Sequence, residues 1–321
     1  MTALNDPIFH DEDAARAHFE ALRWPYGRIC PHCGTIDNST LLNSGARGGT
    51  TRKGLYKCKD CRKPFSATMG TIYESSHIPL HKWLLATHLM CSSKKGISAL
   101  QLQRNLEIGS YRTAWFMAHR IREAMLSNDT SPMGGDGGSV EADETFYGRD
   151  PEAKDSRMAI RNMNKVVTLL DRSTGQTRSI VVKDITTDTI ADILNANLSV
   201  KANLITDEGK HYIRPGKAFA SHESVSHAQK EYVRKGDRTI TTNQIEGFFG
   251  IFKRGMKGIY QHCGSHYLNR YLIEFDFRYS NREALGINDT DRAAIAVRGT
   301  VGRRLMYKKP AGLKATAQAQ A

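Results

Sequence analysis

The sequence contains no run of about eighteen apolar residues, which excludes a single membrane-crossing helix. Its first fifteen residues are acidic and lack the basic stretch and apolar segment of an export signal, so a cytoplasmic protein is expected. No internal repeat and no long low-complexity tract is present. Acidic side chains are in short supply: 33 Asp and Glu stand against 46 Lys and Arg, a formal net charge of +13. That excess points to a polyanionic partner, nucleic acid ahead of a membrane surface. Cysteine is scarce at six, and four of the six fall into two close pairs, which for a cytoplasmic chain read as metal ligands before disulfides. What remains is the composition of a folded globular protein, 40% hydrophobic and 25% charged, whose 321 residues suffice for two or three domains.

The paired cysteines are Cys30 and Cys33, then Cys58 and Cys61, each with a two-residue spacer. Each such turn presents two thiolates to one ion, and two turns complete the four-sulfur shell that zinc prefers. Lys57, Lys59, Arg62 and Lys63 flank the second pair and suit a ribbon lying near nucleic acid, although a zinc that merely replaces a small core would look the same. His32 reads as exposed or as a partner to a ligand rather than as a fifth ligand. The segment around the cysteines, to about Phe65, reads as poor in strands, behind a short helix over 11–22.

Three helices are expected over 80–91, 98–106 and 111–125, with glycine punctuation at Gly96 and Gly109. The last two have the helix, turn, helix layout of a DNA-reading unit, with Ser110 as a cap and Ala114, Ala118, Ile121 and Met125 as the buried stripe. Arg112, Thr113 and Arg120 then fall on other faces as candidate DNA contacts, and Trp83 and Trp115 read as core. A purely structural three-helix unit fits the same pattern. Residues 127–139, with four glycines and a proline, read as an interdomain linker. The texture then turns to strands at 139–147, 164–171, 177–183 and 201–206, with helices at 187–197, 243–256 and 266–281. That order is a mixed α/β domain. The expected division is therefore 1–70, 71–126, a linker over 127–139, 140–307, and a disordered tail over 308–321.

Within the strand over 139–147, alternation puts Val140, Ala142, Glu144 and Phe146 on one face and Glu141, Asp143, Thr145 and Tyr147 on the other. Asp143 sits mid-strand, where a carboxylate is costly unless something neutralises it. Asp207 ends an apolar strand, the place where open α/β sheets build their sites. On the helix over 243–256, Ile245, Phe248, Phe249, Phe252 and Met256 form a buried stripe, and Asn243, Glu246, Gly250, Lys253 and Lys257 recur on an adjoining face. Gly247 and Gly250 inside that helix cost about 1 kcal/mol each relative to alanine and predict close approach of a neighbour or ligand. Three carboxylates from separate elements can hold two Mg2+ ions, one activating water or a 3′-hydroxyl and the other stabilising the departing oxygen. Three unrelated turn and surface carboxylates are the competing reading. His222, His227, His262 and His266 read as surface or structural, and Arg254, Arg270 and Arg278 as phosphate contacts or a solvated face.

The succession Arg23-Trp24-Pro25, Cys30-Pro31-His32-Cys33, Lys95-Gly96-Ile97-Ser98, Thr113-Ala114-Trp115-Phe116-Met117, Asp143-Glu144-Thr145, Thr206-Asp207-Glu208, Asn243-Gln244-Ile245-Glu246, Phe252-Lys253-Arg254-Gly255 and Glu274-Phe275-Asp276-Phe277-Arg278 resembles bacterial insertion-sequence DDE transposases with an N-terminal zinc ribbon, over about residues 11–307. The resemblance implies an RNase H-like catalytic domain behind a zinc ribbon and a small helical, helix-turn-helix-like DNA-binding unit. It implies structural Zn2+ on Cys30, Cys33, Cys58 and Cys61, and two catalytic Mg2+ ions, with Mn2+ as a substitute. By position, Asp143 and Asp207 match the first two metal carboxylates and Lys253 the lysine after the third. The third ligand is Glu246 or Asn243, with Glu246 favoured because a carboxylate binds Mg2+ better than an amide. Many relatives carry a histidine where this chain has Thr241 or Thr242.

The implied activity is cutting at terminal inverted repeats and joining of the freed 3′ ends to target DNA. The implied partner is double-stranded DNA, contacted by Arg112, Thr113, Arg120, Lys253, Arg254 and Lys257. A homo-oligomer is expected when two ends are held, with no membrane partner, in the bacterial cytoplasm at the nucleoid. Two alternatives stay open: another RNase H-like nuclease, and a zinc-ribbon DNA-binding regulator derived from an inactive transposase.

Overall fold

The computed structural model describes residues 4–42, 53–151, 159–226 and 233–306. The tail expected over 308–321 and His227 lie outside the described residues. No helix among them is long and apolar enough to cross a membrane.

Helix α1 (Glu12–Arg23) begins where Asp11 accepts a hydrogen bond from the Ala14 amide, and acidic Glu12 and Asp13 occupy its first turn. The segment after it is richer in strand than its sequence suggests. Strands β1 (Ser39–Leu41), β2 (Leu55–Cys58) and β3 (Pro64–Ser66) form an antiparallel sheet in that order. At three or four residues each they are too short to print an alternation, which is why the pattern misses them.

Helices α2 (Leu80–Ser92), α3 (Ala99–Asn105) and α4 (Tyr111–Met125) follow at the expected places. Ser98 caps α3, whereas Ser110 makes no side-chain cap for α4, a correction to the sequence reading. The α4 stripe Ala114, Ala118, Ile121 and Met125 is buried as expected. Phe19 of α1, Phe65 of the ribbon, Trp83 of α2 and Ile121 share one core, and the chain returns at its far end to complete it with Ala296 and Val297 of α9 (Asp289–Arg298). The ribbon therefore has no separate core of its own, which is the circumstance in which four thiolates on one ion add most to stability.

The second unit is built on a five-stranded mixed sheet of β4 (Ser139–Arg149), β5 (Met163–Asp171), β6 (Thr177–Val182), β7 (Asn203–Asp207) and β8 (Ser221–Val225), in the order β6-β5-β4-β7-β8. The first three strands are antiparallel neighbours; β7 joins β4, and β8 joins β7, in parallel. This is the RNase H-like arrangement. Helix α5 (Thr187–Asn197) and α6 (Lys210–Gly216) cover one face through Val140, Ala142, Ile190, Leu194 and Tyr212. Helices α7 (Asn243–Gly255) and α8 (Leu268–Ser280) cover the other through Val166, Leu170, Phe248, Phe252 and Phe275. Beyond the ribbon strands, three further elements have no counterpart in the sequence reading: β8, whose Ser221, His222, Glu223 and Ser224 are polar, and the short helices α6 and α9.

The glycines of α7 correct the protein-neighbour half of a sequence expectation. A Cβ on Gly247 would meet nothing within 4 Å, and one on Gly250 would make only ordinary contact with Arg254, so neither is held open by a protein neighbour. The close approach is at Gly255, where a Cβ would lie 2.5 Å from the Lys95 carbonyl oxygen and 2.5 Å from Phe275. Gly255→Ala should therefore lower stability by about 1–3 kcal/mol through overpacking. Gly247→Ala should raise it by up to about 1 kcal/mol through helix propensity. Urea unfolding of the two variants reads both signs, and equal shifts for the pair would contradict this account.

Candidate active site

The parallel pairing of β4 with β7 sets Ser139 beside Asn203, Val140 beside Leu204 and Glu141 beside Ile205. Extended by two residues past the last paired positions, that register runs Asp143 towards Asp207 at the end of β7. The alternation expected along β4 holds. Val140 and Ala142 enter the core under α5 and α6, and Tyr147 packs edge-on against Phe252 of α7. Asp143 consequently faces the α7 side.

Glu141, on the same face, decides where α7 begins. Its side chain is fully buried, accepts the Ile245 amide at 2.9 Å and pairs with Arg172 at 2.6 Å. The Arg172 guanidinium also donates to the Thr239 and Thr241 carbonyls. One buried carboxylate and one arginine thus tie residues 239–245 to β4, two positions before Asp143. Thr242, itself buried, then donates from its hydroxyl to Glu246 Oε1 at 3.0 Å. In this chain Thr242 holds the Glu246 side chain from the N-terminal turn of α7.

The electrostatics report the outcome of that placement. Burial pushes the Asp143 carboxyl up to about 8, and the charges of Glu144, Asp207 and Glu246 push in the same direction, against one backbone hydrogen bond from the Glu144 amide. Asp207 accepts the Gly209 amide at 2.9 Å. Among the described residues, the only group of three or more metal-ligating side chains whose donor atoms all lie within 4.8 Å of one another is the four cysteines, so the three carboxylates stand further apart than a closed single-ion cage. Asn243 and Lys253 are exposed on the adjoining side of α7, and the stripe of Ile245, Phe248, Phe249, Phe252 and Met256 is buried as expected.

Glu144, on the opposite face from Asp143, accepts from the Tyr212 hydroxyl at 2.8 Å and lies 3.3 Å from His211 Nε2. Its hydrogen bond raises the His211 pKa, with Asp207 and Asp143 adding to the effect. Sequence reasoning missed His211, Tyr212, Glu141 and Arg172, because each acts across the sheet and none has a local signature. Of the histidines it did single out, His222 is hydrogen-bonded to Thr206 at 2.9 Å, while His262 and His266 are exposed.

The DNA-contact candidates divide. Arg112, Thr113, Lys253, Arg254 and Lys257 are exposed. Arg120 is not: it is buried, donates to the Glu74 carbonyl at 3.1 Å and lies over the Trp83 ring, so its reading as a DNA contact is corrected. Arg278 is likewise buried in an ion pair with Glu274, and Trp115 is only half-buried, unlike the fully packed Trp83.

In the ribbon, Cys30 Sγ lies 3.7 Å from Cys61 Sγ, and Cys33 Sγ lies 3.6 Å from Cys58 Sγ. A tetrahedral ion with Zn–S bonds of about 2.3 Å separates its sulfurs by about 3.8 Å, so the four donors fit zinc in number, softness and spacing. His32 is exposed and its Nε2 lies 3.1 Å from the Pro64 carbonyl, leaving the four sulfurs as the ligand set.

Residues 136–280 match the family model of the ISXO2-like transposase domain, and residues 10–64 match the transposase zinc-ribbon domain. The chain is 26% identical over 297 residues to an uncharacterized protein in transposable element ISH50 of Halobacterium salinarum, covering 86% of this chain and 95% of that one. A solved chain from the simian T-cell lymphotropic virus intasome in complex with PP2A regulatory subunit B56 gamma aligns at 13% identity with a TM-score of 0.29. That alignment covers 56% of this chain and 63% of the other, less than two thirds of its length.

Proposed function

Because the chain belongs to the insertion-sequence transposases that join a zinc ribbon to an ISXO2-like DDE domain, we propose that it binds the terminal inverted repeats of its element and catalyses metal-dependent DNA cleavage and strand transfer. The observation that carries this reading is the half-buried Asp143 carboxyl, raised by its partial burial and by the charges of Glu144, Asp207 and Glu246, which come from β4, β7 and α7. Clustered carboxylates in a desolvated place repel one another, and hard divalent cations relieve that repulsion. An all-oxygen donor set suits Mg2+, with Mn2+ as a substitute.

Asp143, Asp207 and Glu246 would hold the two ions, and Asn243 is the alternative to Glu246. Two ions about 3.5–4 Å apart are shared among ligands that need not all reach one ion. Bound Mg2+ would lower the pKa of an attacking water or 3′-hydroxyl and neutralise the departing oxygen. Lys253, two turns from Glu246, would hold the adjoining phosphate, and Arg254 and Lys257 extend the cationic side of the helix. Arg112 and Thr113 at the start of α4 would contact the duplex. In this division residues 1–70 form the zinc ribbon with its leading helix, 71–126 the helical DNA-binding unit and 140–307 the catalytic segment, whose α9 packs back into the core of the first unit. Holding two ends together implies a homo-oligomer, acting in the bacterial cytoplasm at the nucleoid.

A joining assay with precut duplexes carrying the element's ends tests the reading. Transfer of the 3′ ends into a target plasmid is expected with Mg2+ or Mn2+. Cleavage without joining would reassign the chain as a nuclease, and duplex binding with neither reaction would make it a DNA-binding regulator. Duplex affinity should fall steeply between 50 and 200 mM salt, by about 10³-fold if six phosphates are contacted.

A further inference from the structure

A pocket of about 390 Å³ lies between the first turns of α4 and the turn before α8, lined by Tyr111, Arg112, Trp115 and Tyr267. It joins the helical unit to the catalytic unit, and it is not part of the carboxylate site. Its walls are preformed. Trp115 and Tyr267 meet edge to face at 5.0 Å. Behind them His119 packs on Trp115 at 4.2 Å and on Tyr267 at 5.1 Å, and Tyr271 closes on His119 at 5.7 Å. His119 is almost fully buried, and neither of its ring nitrogens has a hydrogen-bond partner. Burial, with the charges of Arg122 and Arg270, pushes its pKa down to about 2, so the backing of the pocket is neutral and aromatic.

We propose that this pocket receives a single unstacked nucleobase of the bound DNA. The proposal rests on the DNA-processing reading above and deepens it. Three features select that occupant. The walls are aromatic side chains and a guanidinium, the kinds of group on which a base stacks. The pocket offers about 390 Å³ on an open face, room for one extruded base. The surroundings are cationic, with Arg112 at the pocket and Arg270 within electrostatic reach of its backing, in a chain of net charge +13, so the flanking phosphates of an extruded nucleotide are matched. Base stacking of this kind is insensitive to sequence, since every base has a flat face.

The test compares two 30-base-pair duplexes of identical sequence at 150 mM salt, one with a central single-adenosine bulge and one with an abasic bulge at the same place. The full-length protein should bind the adenosine bulge roughly 5- to 150-fold more tightly than the abasic one. Trp115→Ala and Tyr267→Ala should each erase most of that difference and leave the affinity for the fully paired duplex within about two-fold. Tyr111→Ala, at an exposed position, should reduce the difference with no change in unfolding midpoint, which separates base binding from a folding defect. Equal binding of the two bulges by the wild type, or a difference that survives all three substitutions, overturns the proposal. So does a change in oligomeric state on Trp115→Ala without loss of bulge discrimination, which would assign the pocket to a second copy of the chain. Failure to bind any duplex would instead remove the DNA-processing reading and this proposal with it, whereas duplex binding indifferent to the bulged base removes the pocket alone.

Discussion

Asp143→Asn should abolish cleavage and joining, by at least about 10³-fold, while making the metal-free protein more stable. The two signs have one cause. Asp143 is half-buried on β4 within electrostatic reach of Glu144, Asp207 and Glu246, and without a cation the folded chain bears the cost of ionising it there. A carboxyl raised to about 8 binds its proton more tightly in the folded than in the unfolded state. Stability of the metal-free wild type therefore falls as pH rises from the ordinary carboxylate range to about 8. Asparagine keeps the shape and an oxygen to accept the Glu144 amide, removes the charge, and should flatten that slope with a gain of about 1 kcal/mol near pH 8. Urea unfolding in chelator across pH 5–9 reads the stability, and a supercoiled-plasmid assay with Mg2+ reads the cleavage. Retained cleavage by Asp143→Asn would remove it from the active site. Asp207→Asn should lose activity likewise. The third position is settled by comparing Glu246→Ala with Asn243→Ala, since whichever variant still cuts is not the third ligand. End binding should persist in all four, because the phosphate contacts lie on other side chains.

Glu274→Ala should destabilise the fold by about 3–5 kcal/mol, a large share of the margin of an ordinary domain. Glu274 is fully buried on α8, accepts from Arg122 at 2.6 Å and from Tyr260 at 2.5 Å, and is paired with Arg278 one turn on. Removing it leaves two guanidinium groups in the interior without their counter-charge. Burial alone would raise this carboxyl, but Arg278 and Arg122 outweigh it and hold it below its ordinary value. The contribution is therefore fully present above the ordinary carboxylate range and is lost as the pH falls below that range towards the lowered value of the folded state. Arg122 comes from α4 and Glu274 from α8, so the ion pair fastens the helical unit to the catalytic unit. Arg122→Leu should cost a similar amount, and the double variant Arg122→Leu with Glu274→Ala should cost less than the two added together. Additive losses would mean that the pair is not coupled. The same network explains why Arg278, which in sequence reads as a phosphate contact, is unavailable to DNA.

Local chemistry was legible wherever it repeats at short range. The two Cys-x-x-Cys turns by themselves specify a four-sulfur site suited to zinc. The apolar period of α7 puts Ile245, Phe248, Phe249, Phe252 and Met256 inward, and the alternation along β4 separates Glu141, Asp143, Thr145 and Tyr147 from Val140, Ala142, Glu144 and Phe146. These patterns are written in single elements by helix and strand geometry. Several features were decided only by tertiary structure. The parallel β4–β7 pairing brings Asp207 within electrostatic reach of Asp143 across a sequence separation of more than sixty residues. The Glu141–Arg172 pair sets the start of α7, and the burial of Arg120 takes it out of the DNA-facing set. Trp115, which alone reads as core, becomes the wall of a pocket because Tyr267 arrives beside it from the far end of the chain. Parallel pairing and ion pairs between distant elements are long-range contacts. They leave no period in the sequence, and only the folded chain shows which charges they bury and which they present.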